Sequence, residues 1–504
     1  MMIAARSAHG REPFGVSRRR FEELLSWASG AEAPMGHGEF EETLIERGTE
    51  VLRRVLQDRL DLLSSIELAD WEAAGSPRSE GEAIRSRSRQ VESTLGRVTL
   101  RRLGRKADGR KVSFALDARL NLPSDLYTHP LRQRIAEEGA RGAWDGVVEH
   151  VDKTTGGHVP KRQAEVLAIV AAQDFEAFYA QPMPANEVLG SDALLVASSD
   201  SKGVRMVPHA LREATRKAAQ ADAANAVRGD PMATKKPRLH DKRMAVVTAV
   251  WEQTPMPRAA TDIVTELRRT PGQASTSKKK RDLPRPHNKR VSASVESGIV
   301  VCVRKLFDEL DRRDPDRARR AIVLVDGEES QQSAILTQGV TRQRPVTLVL
   351  DLIHVIHYLW LAGAALCRKN EKATDVWVAK HLLLLLSRPF DEWTAAIERA
   401  LRARRLTDGQ RKPVDKALKY FRRNKSFMDY PAYLAQGLPI ATGVIEGACR
   451  HLVQDRLGIT GARWDLPGAE AVLRLRALHA SGHWDAYWRF HQGQEQRRNY
   501  ASAA

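Results

Sequence analysis

The sequence predicts a mixed α/β protein in which a mainly helical region precedes a sheet-bearing core that an all-helical segment interrupts. Three observations support this. Leucines recur at helical spacing within residues 39–73, short apolar segments alternate with helical segments within 186–351, and 352–436 are rich in Leu, Ala and Arg. We therefore divide the chain into residues 1–38, 39–120, 121–185, 186–351, 352–436, 437–495 and 496–504.

Composition and charge limit the class of protein. The 504 residues include 81 Lys and Arg against 63 Asp and Glu, a net charge of +18, and 42% are hydrophobic. This favours a globular protein with a polyanionic partner, most often nucleic acid, and a merely basic enzyme is the alternative. Cys302, Cys367 and Cys449 do not match a disulfide framework or a thiolate zinc finger. We expect a cytoplasmic, nucleoid-associated protein with no membrane segment, because no apolar run suits a signal peptide or a span.

The first 120 residues are expected to be helical with two short strands. Residues 1–38 are predicted to be a poorly ordered arm, in which RRRFEELLSWAS is suited to one short helix. Residues 39–73 are predicted to form a long amphipathic helix, which packs either in a core or against a second subunit. Residues 76–92 are predicted to be a polar linker, followed by two strands around a turn at residues 108–109.

Residues 121–185 are predicted to form three helices with short, glycine-bearing joints, at 131–139, 143–151 and 160–179. Three short helices in a basic protein favour a helix-turn-helix-like DNA-binding region. The third helix would then contact DNA through Lys161, Arg162 and Gln163 at its N-terminal end. An ordinary helical subdomain is the alternative interpretation.

Residues 186–351 alternate between strand and helix patterns. Strands are predicted at 193–200, 203–207, 244–253, 321–326 and 346–351, with helices at 291–312 and 328–337. Three antiparallel strands followed by parallel strands on βαβ crossovers are the order of the RNase H-like fold. Residues 270–290 form a basic loop or arm, predicted to contact phosphate through Lys278, Lys279, Lys280 and Arg281.

Three acids lie at the ends of predicted strands or at the start of a predicted helix. Asp200 and Asp326 end the first and fourth predicted strands, and Glu446 lies on the first turn of the helix after the helical segment. In an RNase H-like sheet these two strands are neighbours, so their acids converge, and a helix across that edge adds the third. Converging carboxylates need cations between them. Two Mg²⁺ ions, with Mn²⁺ as a substitute, would support in-line attack on a phosphodiester. Alternatively, each acid only caps a turn or helix.

A second polar cluster lies in DLIHVIHYLW. Asp351, His354 and His357 are spaced three residues apart, close to one helical face. A zinc site, support of a catalytic carboxylate or phosphate, and a polar network in the core are the interpretations left open.

Long segments of the chain resemble one family of enzymes. The run FMDYPAYLAQGLPIATGVIEGACRHLVQDRLGITGARW closely resembles the C-terminal signature of ISKra-type insertion-sequence transposases. HVPKRQAE, SSDSKGVRM, LREATRKAA, VLVDGEES and VLDLIHVIHYLW resemble further motifs in the family's order. The family is similar to Mutator-type DDE transposases. Unlike many relatives, this chain has no CxxC zinc ribbon, and it has Asp-Ser-Lys-Gly where Asp-Gly is common.

The resemblance implies an RNase H-like core that uses Mg²⁺ to cut and rejoin DNA. By motif, Asp200, Asp326 and Glu446 would be the catalytic metal ligands, and Asp351 with His354 would match a supporting DxxH motif. The expected protein is a bacterial transposase that binds its element's terminal inverted repeats and target double-stranded DNA, as a homodimer or higher oligomer. A catalytically silent, transposase-derived DNA-binding protein and an RNase H-like nuclease without strand transfer are the alternatives.

Further DNA contacts are predicted near the acids. Lys202, Arg450, Arg456 and Arg463 are candidates for phosphate contacts, with solvated surface charge as the alternative. Trp464 would either stack on an unpaired base or pack in the core.

Overall fold

The computed structural model describes residues 12–30, 35–75, 83–106, 112–182, 189–227, 240–267, 284–368, 370–402, 406–441, 443–459 and 461–500. They form a mixed α/β protein that is mostly helical, with a five-stranded mixed sheet and a three-stranded antiparallel sheet. Two compact units result, Met1–Gln181 with His483–Ala504, and Pro182–Gly482. Within the described ranges, none of the helices combines the length and apolar character needed to span a bilayer.

The first unit contains α1 (Gly15–Ser29), α2 (His37–Ala73), β1 (Ala83–Ser93), β2 (Gly96–Lys106), β3 (Ser113–Phe114), α3 (Ala115–Arg119), α4 (His129–Arg141), α5 (Trp144–Thr154), α6 (Lys161–Ala171) and α7 (Phe175–Tyr179). The second unit begins with β4 (Leu194–Arg205), α8 (Glu213–Val227), β5 (Lys242–Gln253), α9 (Ala260–Leu267), β6 (His287–Ser294), α10 (Ile299–Arg313), β7 (Ala321–Val325), α11 (Glu329–Thr341) and β8 (Val346–Leu350). It continues with α12 (Leu352–Leu366), α13 (Glu371–Ser387), α14 (Phe390–Arg402), α15 (Asp408–Arg423), α16 (Tyr430–Ala435), α17 (Gly443–Ala448), α18 (Asp455–Leu457) and α19 (Leu466–Ala480). The last helix, α20 (Trp484–Tyr500), belongs to the first unit.

A helical hairpin opens the first unit. The Trp27 ring of α1 stacks on Phe40 of α2 with centroids 5.0 Å apart, and the Ser17 backbone N–H donates to Asp58 at 2.9 Å. The two helices are therefore antiparallel. The predicted long helix is confirmed, and α1 falls on the segment of the predicted arm that was suited to a helix.

The three-stranded sheet packs on α2. Leu60 and Leu63 of α2 share a buried cluster with Val91, Val98 and Leu100 of the sheet. The prediction of a linker over residues 76–92 is wrong for residues 83–92, because β1 pairs with β2 along its whole length. Residues 76–82 lie outside the described residues. Ser and Arg side chains look like a linker in the sequence, but on an edge strand they face water without breaking the ladder. β2 and β3 confirm the two predicted strands, and the turn between them lies outside the described residues.

Helices α4, α5 and α6 pack around one small core of apolar side chains, which includes Leu131, Ile135, Val147, Val151 and Leu167. The three-helix prediction is confirmed, except that the third helix ends at Ala171 and α7 follows separately. The separation has a tertiary cause. Asp174, just before α7, is held by His491 and Arg498 of α20.

The five-stranded sheet has the order β6-β5-β4-β7-β8. β4 pairs antiparallel with β5, and β5 with β6, whereas β7 is parallel to β4 and β8 is parallel to β7. The prediction of two strands joined by a turn at residues 201–203 is wrong. β4 is one strand because it extends past the end of β7 while remaining paired with β5 from Leu194 to Arg205.

The third antiparallel strand, β6, lies where a basic arm and the start of a helix were predicted. Val291 and Ala293 are buried in alternation with more exposed neighbours, a two-residue period that the surrounding Lys and Arg residues obscure. Helix α10 consequently begins at Ile299 and not at residue 291. β7 and β8 confirm the fourth and fifth predicted strands to within one residue.

The described part of residues 352–436 is a series of helices joined by short turns and loops, which agrees with the predicted helical segment. The chain then returns to the sheet, where the Leu352 N–H donates to the Ile440 carbonyl oxygen at 2.9 Å. The C-terminal part of the chain forms two helices, α19 and α20, which are separated at Gly482. That glycine has a φ of 72°, a conformation that ends a helix readily.

Candidate carboxylate site

Three aspartates lie in one row at the edge of the five-stranded sheet. Ser198 is paired with Leu324, and Val325 with Leu350. Continuing these registers past the last pairs aligns Asp200 with Asp326, and Asp326 with Asp351. Adjacent strands lie about 4.8 Å apart, so aligned residues stand side by side. The prediction that the strands bearing Asp200 and Asp326 are neighbours is confirmed.

Asp200 is half-buried within β4 and both of its carboxylate oxygens are engaged. The Lys202 Nζ lies 2.8 Å from Oδ2, and the Cys449 thiol donates to the same oxygen at 3.3 Å. The Ser201 backbone N–H donates to Oδ1 at 2.6 Å. Lys202 follows Asp200 by two residues in the strand, so both side chains project from the same face. The ammonium group therefore balances the charge of this carboxylate.

The negative charge around Lys202 raises the pKa of its ammonium group. Burial lowers the pKa, but the hydrogen bond to Asp200 and the negative charges of Asp200 and Glu446 outweigh burial, so the pKa is raised. Lys202 is therefore fully protonated at neutral pH. Its positive charge is stabilised by the negative charges of both Asp200 and Glu446.

Asp326 occupies a bend directly after β7. Its Oδ1 accepts the Glu328 backbone N–H at 2.9 Å, and its carbonyl oxygen accepts the Tyr420 hydroxyl at 2.7 Å. Gly327 has a φ of 93°, and a Cβ there would lie 2.7 Å from the Tyr420 ring. Both the backbone angle and the ring exclude larger residues. Tyr420 of α15 thus fixes the backbone on which Asp326 stands.

Burial is the main cause that raises the pKa of Asp326, and the negative charge of Asp200 adds to it. The hydrogen bond from Glu328 and the nearby His354 act in the opposite direction without cancelling the shift. Carboxylates aligned on neighbouring strands repel one another, and this agrees with the direction of the shift.

Asp351 and His354 lie at the start of α12. Asp351 is 4% exposed, and its Oδ1 accepts the Ile353 backbone N–H at 2.9 Å, the geometry of a helix N-cap. His354 is half-buried and acts on Asp326 electrostatically, whereas His357 is exposed. The geometry therefore gives Asp351 a structural role and places His354 beside the acids.

Glu446 is exposed on the first turn of α17, which packs against β4 and β5. The helix continues without a break into a π-helical segment, Cys449–Gln454. Glu446 precedes Cys449 by three residues, so the two lie on neighbouring positions of one helix face. α17 thereby brings Glu446 to the side of Lys202 and Asp200.

The carboxylate oxygens of Asp200, Asp326 and Glu446 are of the type that Mg²⁺ prefers as ligands. The Lys202 ammonium on Asp200 and the raised pKa of Asp326 both indicate negative charge that a cation would stabilise. In the described conformation, the Lys202 ammonium group supplies the positive charge beside Asp200. Within the described ranges, no group of three or more His, Cys, Asp or Glu side chains is already arranged to hold a metal ion. A metal ion at Asp200 would therefore have to displace Lys202.

Five of the predicted DNA contacts are exposed. Lys161, Arg162 and Gln163 form the N-terminal end of α6, and Arg450 and Arg463 lie in the second unit. The Lys161 ammonium lies 2.8 Å from Asp145 of α5, so part of its charge is already balanced.

Two predicted DNA contacts are buried. Arg456 is 2% exposed, and its guanidinium carbon lies 4.7 Å from the centre of the Trp464 ring. Trp464 donates through Nε1 to the Leu457 carbonyl oxygen, and its backbone pairs with Met206. Trp464 thus takes the core alternative, and a phosphate contact by Arg456 is wrong for this conformation. Lys202 is half-buried and paired with Asp200. The other predicted contacts, Lys278, Lys279, Lys280 and Arg281, lie outside the described residues.

Sequence reasoning missed two contributors, Cys449 and Tyr420. The three-residue spacing from Glu446 was a usable signal for Cys449, since it places both on one helix face. Tyr420 gives no local signal, because it contacts Asp326 from a helix far along the chain.

No family model matches the chain, and a search of curated proteins finds no significant match.

Proposed function

We propose that the chain is a DDE-type DNA transposase of the ISKra kind, a cytoplasmic, nucleoid-associated enzyme that cuts and joins DNA at the ends of its own element. The observation that supports this most directly is the alignment of Asp200 with Asp326 on neighbouring parallel strands, with Glu446 brought to the same edge. Three antiparallel strands followed by parallel strands beside the first agree with an RNase H-like core. The motif resemblance selects the same three acids.

The proposed chemistry is attack on a phosphodiester by water and then by a freed 3′-hydroxyl. Bound Mg²⁺ would activate the nucleophile and stabilise the leaving oxygen. Asp200 and Asp326 would hold the ions from the sheet, and Glu446 from the helix. Cys449 keeps the Asp200 carboxylate oriented, and Tyr420 keeps the Asp326 backbone in place. Lys202, once displaced from Asp200, remains a cation beside the phosphate.

End recognition is assigned to the first unit. Helices α4 to α6 form a compact three-helix group, and Arg162 and Gln163 are exposed at the N-terminal end of α6. A helix N-terminus with exposed donors suits phosphate or base contacts in a major groove. The net charge of +18 favours the same partner.

The test begins with the DNA that flanks the gene, where inverted repeats define a substrate. We expect the full-length protein with Mg²⁺ to cut this DNA at the repeat ends and join it to a second duplex. Asp200→Asn, Asp326→Asn and Glu446→Gln should bind the repeats normally and lose cleavage, because each loses a ligand charge but keeps its shape.

Asp316→Asn, at an exposed acid before β7, is the matched control and should cut normally. Cleavage of unrelated DNA with equal efficiency would identify a nuclease without strand transfer. Specific binding with no cleavage by the parental protein would identify a silent DNA-binding protein. Parental activity in all three site variants would reject this site.

A further inference from the structure

Large apolar side chains are exposed along the α1–α2 hairpin. On α2, Ile45 is 63% exposed and Leu52 55%, and Phe21 and Leu25 are exposed on α1. Seven of the eighteen large apolar side chains exposed in the described part of the chain fall between residues 21 and 55. Such a concentration is typical of a surface that binds another molecule.

One line of positions along α2 follows a seven-residue spacing, and Gly48 is the only one of its residues that is half-buried instead of exposed. Alternating spacings of four and three residues define what we call the seam, made up of Glu41, Ile45, Gly48, Leu52, Val55 and Arg59. A Cβ at Gly48 would meet nothing within 4 Å, so the backbone is open to close approach there.

The two neighbours of α2 in the first unit pack on faces other than the seam. α1 contacts α2 at Phe40 and Asp58, and the three-stranded sheet packs on Leu60 and Leu63. In the described part of the chain, the seam is thus left uncovered by both neighbours.

We propose that the seam binds the seam of a second copy of this chain in antiparallel orientation, forming a homodimer. With the two-fold axis level with residue 50, Ile45 faces Val55 of the second copy and Gly48 faces Leu52. At each end, Glu41 faces Arg59. Antiparallel pairing of identical surfaces closes a two-fold dimer.

Charge supports both the orientation and the occupant. Glu41 and Arg59 are exposed, and neither has an ion pair within the described ranges. A parallel pair would place Glu41 against Glu41 and Arg59 against Arg59, which repel. Nucleic acid is disfavoured as the occupant, because exposed glutamates line the first half of α2, at Glu39, Glu41, Glu42, Glu46 and Glu50. The proposal does not depend on the catalytic function.

The first experiment measures the mass of the DNA-free, full-length protein by sedimentation over a range of concentrations. We expect a dimer whose dissociation constant rises at least about 100-fold in Ile45→Glu/Leu52→Glu, because unpaired charges would be buried at the interface. Val340→Glu, at a 79% exposed residue of α11, should leave the dimer unchanged. Circular dichroism confirms that each variant folds.

The second experiment tests the orientation. Mixing Ile45→Cys with Val55→Cys under mild oxidation should give a cross-linked dimer, whereas either variant alone and the parental chain should not. Self-cross-linking of each single variant would indicate a parallel pair and overturn the proposal. A monomeric parental chain, or an unchanged dimer in the glutamate variant, would also overturn it. So would a monomer whose seam variants lose DNA affinity, since the surface would then belong to DNA.

Discussion

The thiol of Cys449 donates to Asp200 Oδ2, the same oxygen that receives the Lys202 ammonium group. Burial and the charge of Asp200 raise the pKa of this thiol, so Cys449 is a neutral hydrogen-bond donor and not a nucleophile. One carboxylate oxygen is thus held by a neutral donor on a helix and a cation on its own strand. The candidate site therefore depends on the contact between β4 and the π-helical segment.

We expect Cys449→Ala to reduce DNA cleavage about tenfold while leaving DNA binding unchanged. The hydrogen bond that orients Asp200 is lost, at a cost of about 1 kcal/mol in stability. Cys449→Ser keeps a donor and should retain most of the activity. Cleavage rates and urea unfolding of both variants check this. Equal activity in the Ala and Ser variants would mean that the contact does not position Asp200.

Lys202→Met should increase the response of the protein to Mg²⁺. Without the ammonium group, the carboxylates of Asp200 and Asp326 repel more strongly, and a metal ion no longer competes with Lys202. We expect a lower Tm without Mg²⁺ and a larger rise in Tm on its addition than in the parental protein. Lys372→Met, at an exposed lysine of α13, is the control. No effect of Mg²⁺ on any of these proteins would argue against a metal site at these acids.

Gly327→Ala should destabilise the second unit by about 1–3 kcal/mol, because the residue has positive φ and its new Cβ would meet the Tyr420 ring. Urea unfolding measures the loss. Gly409→Ala in α15 has open space and should be neutral or slightly stabilising. If both substitutions have the same effect, the bend at Asp326 is not constrained as described.

The stability of the first unit should depend on pH through His129. Burial lowers the pKa of this histidine to about 4, with the charge of Arg132 as a second cause. The unfolded chain binds the proton at a higher pH than the folded protein. Stability is therefore full above pH 6.5 and falls by about 3 kcal/mol as the pH is lowered to about 4. Denaturant unfolding across this range, compared with His129→Leu, checks it. An equally steep dependence in the variant would assign the effect to other groups.

Strands with an apolar core were predictable from the sequence. β7 and β8 are short runs of buried aliphatic residues, and the acids after them were identified for that reason. β6 was not, because its Lys and Arg residues disguise a two-residue period in which only Val291 and Ala293 are buried. Edge strands face water on one side, so composition identifies them poorly.

Long-range contacts explain the other errors. Nothing near Ser201 in the sequence reveals that β5 keeps β4 extended beyond Asp200. Similarly, the sequence predicts that Arg456 is a surface cation, whereas in the structure the Trp464 ring covers its guanidinium group. The alignment of Asp200 with Asp326 was predictable from the sequence, because the order of the strands and helices places their two strands side by side.

The π-helical segment Cys449–Gln454 changes the phase between the two ends of one continuous helix. In α-helical geometry the buried residues Arg456 and Leu457 would dictate, at about 100° per residue, the direction in which Glu446 projects. The wider π-helical turns change this angle. Arg456 and Leu457 are therefore buried in the core at one end of the helix, while Glu446 and Cys449 lie beside β4 at the other end. Deleting a single residue from this segment would keep the helix and its anchor but rotate both side chains away from Asp200.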